Sequence, residues 1–358
     1  MTALFFVIGL ILLIGGAELL VRGSSRLAAS VGITPLVIGL TVVAFGTSSP
    51  EFAVSIKAAF SSQPGVALGN IIGSNIFNTL FILGLSALIT PLVVDQKLIR
   101  LEVPLMIMVS ILVWVLGMNN VLGQVEGLFL FAGLLGYTGF LIIQSKQESE
   151  VVKQEYAQEY ERRASDEKAG WINPIVMALV GLGMLVWGSN WLVDSAVEIA
   201  RSFGVSDVII GLTIIAAGTS MPEVVTSVVA SLKGERDIAV GNIIGSNLFN
   251  LLGVLGLFGI VSPAGVAVSA EVLNFDLPVM ILVTLVCVPI FFTGSRVGRW
   301  EGGLLLGYYV AYTVYLVLTA TEHASLPYFE VVMYYGAIPL TLIILAVSAL
   351  GSLRQKLL

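Results

Sequence analysis

The chain is poor in the side chains that usually do soluble chemistry. Its 358 residues include one cysteine and one histidine. Cys287 lies in the apolar run ILVTLVCVPIFF, so no intrachain disulfide is possible and it reads as a small buried residue. His323 stands in the loop TEHASLPYFE. Alone it builds neither a histidine metal cluster nor a serine–histidine pair. Charge is scarce too. Asp, Glu, Lys and Arg make up 11 % of the chain, where a soluble domain carries about 25 %. No basic stretch precedes the first apolar run, so the pattern of a cleavable signal is missing and the segment from Leu4 to Val21 is kept as a helix.

Apolar residues fill the space left by charge, at 57 % of the chain. Repeated apolar stretches of about 20 residues read as membrane-spanning helices. Runs such as LVIGLTVVAF do not alternate, which excludes a β-barrel. The expected architecture is an all-α polytopic membrane protein, with the lipid bilayer as its surroundings. Its spans fall at about 3–21, 35–60, 66–90, 100–117, 122–144, 172–192, 207–232, 238–261, 275–293, 300–319 and 330–350. The segment from Ser145 to Gly170 is polar and charged, and reads as a short surface helix or mobile linker rather than a regulatory domain. With the N-terminus outside, 15 of the 17 basic residues fall on the inner side, leaving only Lys57 and Arg201 outside. That puts the C-terminus in the cytoplasm and, with no targeting segment, the protein in the cell membrane. The net charge of −6 says little about partners, and no nucleic-acid partner or cofactor is expected.

Shifted by 172 residues, the sequence matches itself. GNIIGSNIFN at 69–78 meets GNIIGSNLFN at 241–250, and GTSSPE at 46–51 meets GTSMPE at 218–223. GQVEGL at 123–128 matches the region of Glu301 and Gly302 after a small further shift. Each half holds five spans, an odd number, so the second half enters the membrane from the opposite side. The expected organisation is a first inverted repeat over 1–144, a polar linker over 145–171, a second repeat over 172–319, and an extra helix with a tail over 320–358. Inverted repeats characterise secondary transporters, whose sites lie near the midplane at interrupted helices.

The interruptions are marked. Pro50 and Pro222 each remove an amide inside a span and free a carbonyl one turn upstream. Gly46 and Gly218 soften the same turn, and Gly73 and Gly245 are expected to do likewise in GNIIGSN. Thr47 and Glu51 share a helix face, as do Thr219 and Glu223, Ser74 and Asn78, and Ser246 and Asn250. Together they offer two carboxylates, hydroxyls, amides and freed carbonyls. This all-oxygen set suits Ca2+ or Na+ and argues against zinc or copper. An ionised carboxylate near the membrane centre costs at least about 2.5 kcal/mol, and two close together repel. One Ca2+ neutralises both; several Na+ or two protons could replace it. A protonated glutamate that merely holds helices together is the plain alternative, weakened here by the pairing and the hydroxyl wrapper. Thr41, Thr213, Ser55 and Ser227 read as ligands or as small residues that let helices approach. Glu18 reads as a local salt bridge to Arg22. Glu102, Asp276, Glu126 and Glu301 lie near span ends and read as solvated or interfacial, rather than as feeders of cations to the site.

At these residues the sequence resembles the calcium/cation antiporter superfamily, in its sodium/calcium exchanger branch and YrbG-type members. GTSSPE with GNIIGSNIFN and GTSMPE with GNIIGSNLFN look like the two α-repeats of that family. The resemblance implies a ten-helix core with helices 2 and 7 broken at the motif. It implies Glu51 and Glu223 as principal Ca2+ ligands, and Thr47 and Thr219 as further oxygens with Ser48 and Ser220 beside them. Ala44 and Ala216 would offer carbonyls to Na+ sites with Ser74 and Ser246, and Asn78 and Asn250 would line the middle. Several members carry Asp where Asn250 stands, so K+ co-transport is not expected. The function implied is Ca2+ exchange for Na+, with Ca2+/H+ antiport as the alternative. A cation channel would need no counter-ion. An intramembrane serine hydrolase lacks an activating base, so no enzyme is expected.

Overall fold

The computed structural model describes all residues except 1, 32, 61–63, 147–172, 263–264, 293 and 358. The polar segment from Ser145 to Gly170 therefore lies almost wholly outside the described residues. Among those described, the chain is a bundle of long apolar helices. Nine are long and apolar enough to cross a membrane, and one bent pair makes a tenth.

In chain order the helices begin with α1 (Thr2–Val31). The bent pair follows as α2 (Pro35–Thr47) and α3 (Ser49–Phe60). Then come α4 (Ala67–Ile89), α5 (Leu98–Asn119) and α6 (Gln124–Lys146). The second half repeats the order: α7 (Pro174–Ser202), α8 (207–218), α9 (Met221–Leu232), α10 (Arg236–Val261), α11 (Val272–Phe292) and α12 (Arg299–Ala320). Last is α13 (Leu326–Ser348). Both α1 and α7 outrun the expected spans by about ten residues, because GSSRLAASV and VDSAVEIARS hold no helix breaker apart from Gly23.

The packing carries the inverted symmetry. A β-carbon on Gly9 would meet the Gly188 carbonyl at 2.9 Å, and one on Gly16 the Gly181 carbonyl at 2.8 Å. Helices α1 and α7 are thus antiparallel and in backbone contact through small residues. Gly9 and Gly181 are repeat mates, as are Gly16 and Gly188, so the contact is its own mirror image. The same holds farther out. Gly84 of α4 lies against Gly302 of α12, while Gly127 of α6 lies against Gly256 of α10. Two short antiparallel ladders close the ends: β1 (Leu92–Val93) pairs the strand Arg296–Val297, and β2 (Val121–Leu122) pairs the strand Val266–Ala267. Each ladder joins one repeat to the other.

Helices α4 and α10 form the centre, with most of each span buried. Their apolar residues join those of α2, α5, α6, α11 and α12 in one core that includes Ile71, Ile76, Leu248, Phe258 and Phe291. Helix α13 lies at the rim, with Leu340, Ile343 and Val347 exposed as lipid-facing residues are. It is held by Tyr308 of α12, whose hydroxyl donates to the Ala337 carbonyl at 3.1 Å and pairs with the Thr341 hydroxyl at 2.7 Å.

Candidate functional site

The break falls where the prolines place it. Helices α2 and α3 meet at an angle of 40°. Between them Ser48 leaves helical geometry at φ −77°, ψ 7°, and its repeat mate Ser220 does so at φ −90°, ψ 10°. Glu51 and Glu223 follow in the first turn of α3 and of α9. The free amides and dipole of a helix start favour negative charge there. Both glutamates are fully buried.

Each carboxylate is held by the other repeat. Ser220 donates to Glu51 Oε1 at 2.7 Å, and Ser48 donates to Glu223 Oε1 at 3.1 Å. Ser74 of α4 adds a longer bond to Glu51 Oε1 at 3.4 Å and lies 3.1 Å from the Ser220 hydroxyl. The second oxygen of each carboxylate, Oε2, is buried with no protein partner among the described residues. The two groups are also electrostatic neighbours. An oxygen held in place beside an oxygen left open is what an oxygen-coordinated cation needs. Asn250 extends the pattern: it is fully buried, and neither side-chain atom has a protein partner among the described residues. Asn78 donates to Asn247 Oδ1 at 3.1 Å and leaves its own Oδ1 open.

The Thr47 and Thr219 hydroxyls are each tied to an asparagine of the opposite repeat. Thr47 donates to Asn242 Oδ1 at 3.0 Å, and Thr219 to Asn70 Oδ1 at 3.1 Å. Asn70 and Asn242 are the first asparagines of the segments GNIIGSNIFN and GNIIGSNLFN, whose last are Asn78 and Asn250. Sequence reasoning passed over them in favour of the last, although both stand at matched positions of the longest internal match. Ser246 lies 3.5 Å from Thr47. The Ala44 carbonyl already accepts the Ser48 amide at 3.0 Å, and Ala216 opens the last turn of α8.

Other expectations need correction. Thr41 and Thr213 bond their own helix, donating to Val37 and Ile209 carbonyls at 2.6 Å, where α2 and α8 each widen by a π turn. The carbonyl that Pro222 frees, at Gly218, is taken by the Ser189 hydroxyl at 2.7 Å rather than left open to an ion. Helices α4 and α10 run unbroken through Gly73 and Gly245. Gly245 is small because α2 packs on it: a β-carbon there would meet the Leu40 carbonyl at 2.8 Å.

The span-end acids are not simply solvated. Glu102 is buried and accepts from Tyr137 at 2.5 Å, and Asp276 accepts from Tyr312 at 3.0 Å. These carboxylate–tyrosine pairs are repeat mates. Glu126 and Glu301 cap their own helices by accepting the amides of Gly123 and Gly298. The Glu18–Arg22 bridge forms at 2.6 Å as expected, and Glu18 also reaches Lys233, just past the end of α9, at 3.0 Å.

Comparison with known proteins gives this geometry a context. The family described as sodium/calcium exchanger protein matches residues 1–143 and 173–318. The chain is 36 % identical over 313 residues to the inner membrane protein YrbG of Escherichia coli K12, covering 87 % of this chain and 95 % of that one. It is 33 % identical over 343 residues to the sodium/calcium exchanger MaX1 of Methanosarcina acetivorans, covering 87 % and 97 %. Among solved structures it resembles the sodium-calcium exchanger NCX_Mj, at TM-score 0.73 and 30 % identity over 86 % of this chain and 96 % of that one. The sodium/calcium exchangers are transporters, and this chain is a multi-pass membrane protein that belongs to their family.

Proposed function

We propose that the protein exchanges Ca2+ for Na+ by alternating access at the Glu51–Glu223 cluster. The cross-bridge carries the reading: each glutamate is fixed by a serine of the opposite repeat and keeps one oxygen open. Ca2+ takes those two oxygens and cancels both charges. Asn78, Asn250 and the hydroxyls of Ser48, Ser220, Thr47 and Thr219 complete the oxygen lining. Na+ ions take the same carboxylates from flanking positions near Ser74, Ser246 and the Ala44 and Ala216 carbonyls. A site that is neutral only when one cargo or the other is bound crosses the low-dielectric core only when loaded, which makes exchange obligatory.

Na+ is preferred over H+ as the counter-ion because the wrapper is rich in hydroxyls and amides, which protons do not need. The basic residues support an N-terminus outside and a C-terminus in the cytoplasm, in the cell membrane. The test is 45Ca2+ uptake into proteoliposomes loaded with Na+, beside vesicles loaded with choline and vesicles with an imposed pH gradient. Uptake should require internal Na+. Uptake that follows the pH gradient and ignores Na+ assigns the same glutamates to Ca2+/H+ exchange. Uptake that needs no counter-ion refutes antiport.

A further inference from the structure

The last helix, α13, lies beyond the family match, which ends at residue 318. Where its final turns meet the start of α12 they frame two adjoining open hollows. One, of about 470 Å³, is lined by Pro91, Arg296, Arg299, Trp300, Glu301 and Ser348. The other, of about 490 Å³, is lined by Ile343, Ile344, Val347, Trp300 and Ser348. Trp300 and Ser348 are common to both, so the two form one groove with a basic mouth and an apolar floor. Arg299 opens the membrane span of α12, which puts the mouth at the level of lipid headgroups and the floor along the acyl chains.

The repeats show that the basic mouth is not a requirement of the fold. The mates of Gly298, Glu301 and Gly302 are Gly123, Glu126 and Gly127, and the capping contact is kept on both sides. The mates of Arg296, Arg299 and Trp300 are Val121, Gln124 and Val125. Gln124 reaches the Ile260 carbonyl at 3.3 Å much as Arg299 reaches the Ile89 carbonyl at 3.5 Å. An uncharged amide therefore serves that structural contact in the first repeat. The second repeat has replaced it by a guanidinium, added another, and set an indole next to Arg299 in sequence, at the one of the two places where α13 supplies a wall. Both arginines are exposed. The one acid at the mouth, Glu301, is buried and turned onto the Gly298 amide.

We propose that this groove binds an anionic phospholipid, with its phosphate on Arg296 and Arg299 and an acyl chain on Trp300, Ile343, Ile344 and Val347. Basic pockets between membrane helices recognise anionic headgroups, while an apolar groove alone does not distinguish lipids. Guanidinium is suited to phosphate because its planar fork gives paired hydrogen bonds. This inference does not depend on which ions the protein exchanges.

Trp300 reports on its own site. The protein is reconstituted in phosphatidylcholine vesicles containing a fixed share of phosphatidylglycerol, with bromine on the acyl chains of one lipid or the other. Quenching at Trp300 is the difference between the wild type and Trp300→Phe. Phosphatidylglycerol is expected to be favoured there roughly fivefold over its bulk share. The preference should vanish in Arg296→Gln/Arg299→Gln, and quenching of the remaining tryptophans should stay unchanged. Equal quenching by both lipids would mean ordinary surrounding lipid and overturns the proposal, as does a preference that survives the double substitution. Absence of quenching by either lipid, with a dimer in sedimentation that Trp300→Phe dissociates, would give the groove to a second copy of the chain and also overturns it. Thermal melting of the double variant verifies that it is folded, since neither arginine supports the core.

Discussion

Glu51→Gln should leave the ion-free protein at least as stable as the wild type while removing its response to Ca2+. The two expectations come from the two oxygens of one side chain. Oε1 accepts from Ser220 at 2.7 Å and from Ser74 at 3.4 Å, and a glutamine oxygen accepts both bonds equally well. Without an ion, the substitution removes an ionisable group that is fully buried and whose other oxygen has no protein partner among the described residues. Losing it relieves desolvation rather than breaking a contact. With Ca2+, the balance reverses. The amide nitrogen faces the cation as a donor, and the remaining Glu223 leaves the site one charge short. Removing one partner of a buried charge pair costs about 3–5 kcal/mol, or a weakening of roughly 150- to 5,000-fold.

The assay is thermal melting of purified protein over a Ca2+ series, read beside 45Ca2+ flux. A ligand that binds only the folded state stabilises it by about 4 kcal/mol at a thousand times its dissociation constant. The wild-type midpoint should therefore climb steadily with Ca2+, and that of Glu51→Gln should stay flat over the same range. A variant that melts higher with Ca2+ at wild-type concentrations would refute the placement of the ion on Glu51. So would a variant that unfolds without Ca2+, because the glutamate would then be a structural bond.

Tyr137→Phe strips Glu102 of the hydroxyl it accepts and leaves a carboxylate that is 2 % exposed without that donor. It should cost about 1–3 kcal/mol in melting experiments, with flux per folded molecule unchanged. Gly181→Ala would put a methyl group 2.6 Å from the Leu20 amide and 2.7 Å from the Gly16 carbonyl, forcing α1 and α7 apart. A loss of about 1–3 kcal/mol is expected on melting. Gly183→Ala, with nothing within 4 Å of its new methyl, is the matched control and should be neutral or slightly stabilising.

The internal match made much of this legible. It marked the broken helices, the two glutamates and the hydroxyls around them, since a position kept in both halves is kept for something the halves share. What it left hidden were partners. Thr47 and Glu51 share a helix face, but the face does not name their protein partners, which are Asn242 for Thr47 and Ser220 for Glu51. Helical spacing says which side chains leave a helix together but not which neighbour each meets. The span-end acids failed for a related reason. Glu102 and Asp276 sit at the span ends that hydropathy marks as interfacial, while their tyrosines lie 35 and 36 residues on, in the next helix. Nothing local in the sequence ties Tyr137 or Tyr312 to an acid.

The crossing of the two halves at the site has a mechanical consequence. The shortest bond to each carboxylate comes from the opposite repeat: Ser220 to Glu51, and Ser48 to Glu223. Any displacement of one repeat against the other therefore acts on both glutamates at once. The two sides are also unequal. Ser74 reaches Glu51 and the Ser220 hydroxyl, whereas its mate Ser246 reaches Thr47 at 3.5 Å. A carrier built from inverted copies faces one side of the membrane only while its copies differ, and the opposite face is reached when they exchange their arrangements. Under the proposed alternating access, the difference between Ser74 and Ser246 is that inequality at the scale of one hydroxyl. In the opposite-facing state, Ser246 is expected to reach Glu223 and Ser48, with Ser74 released to Thr219.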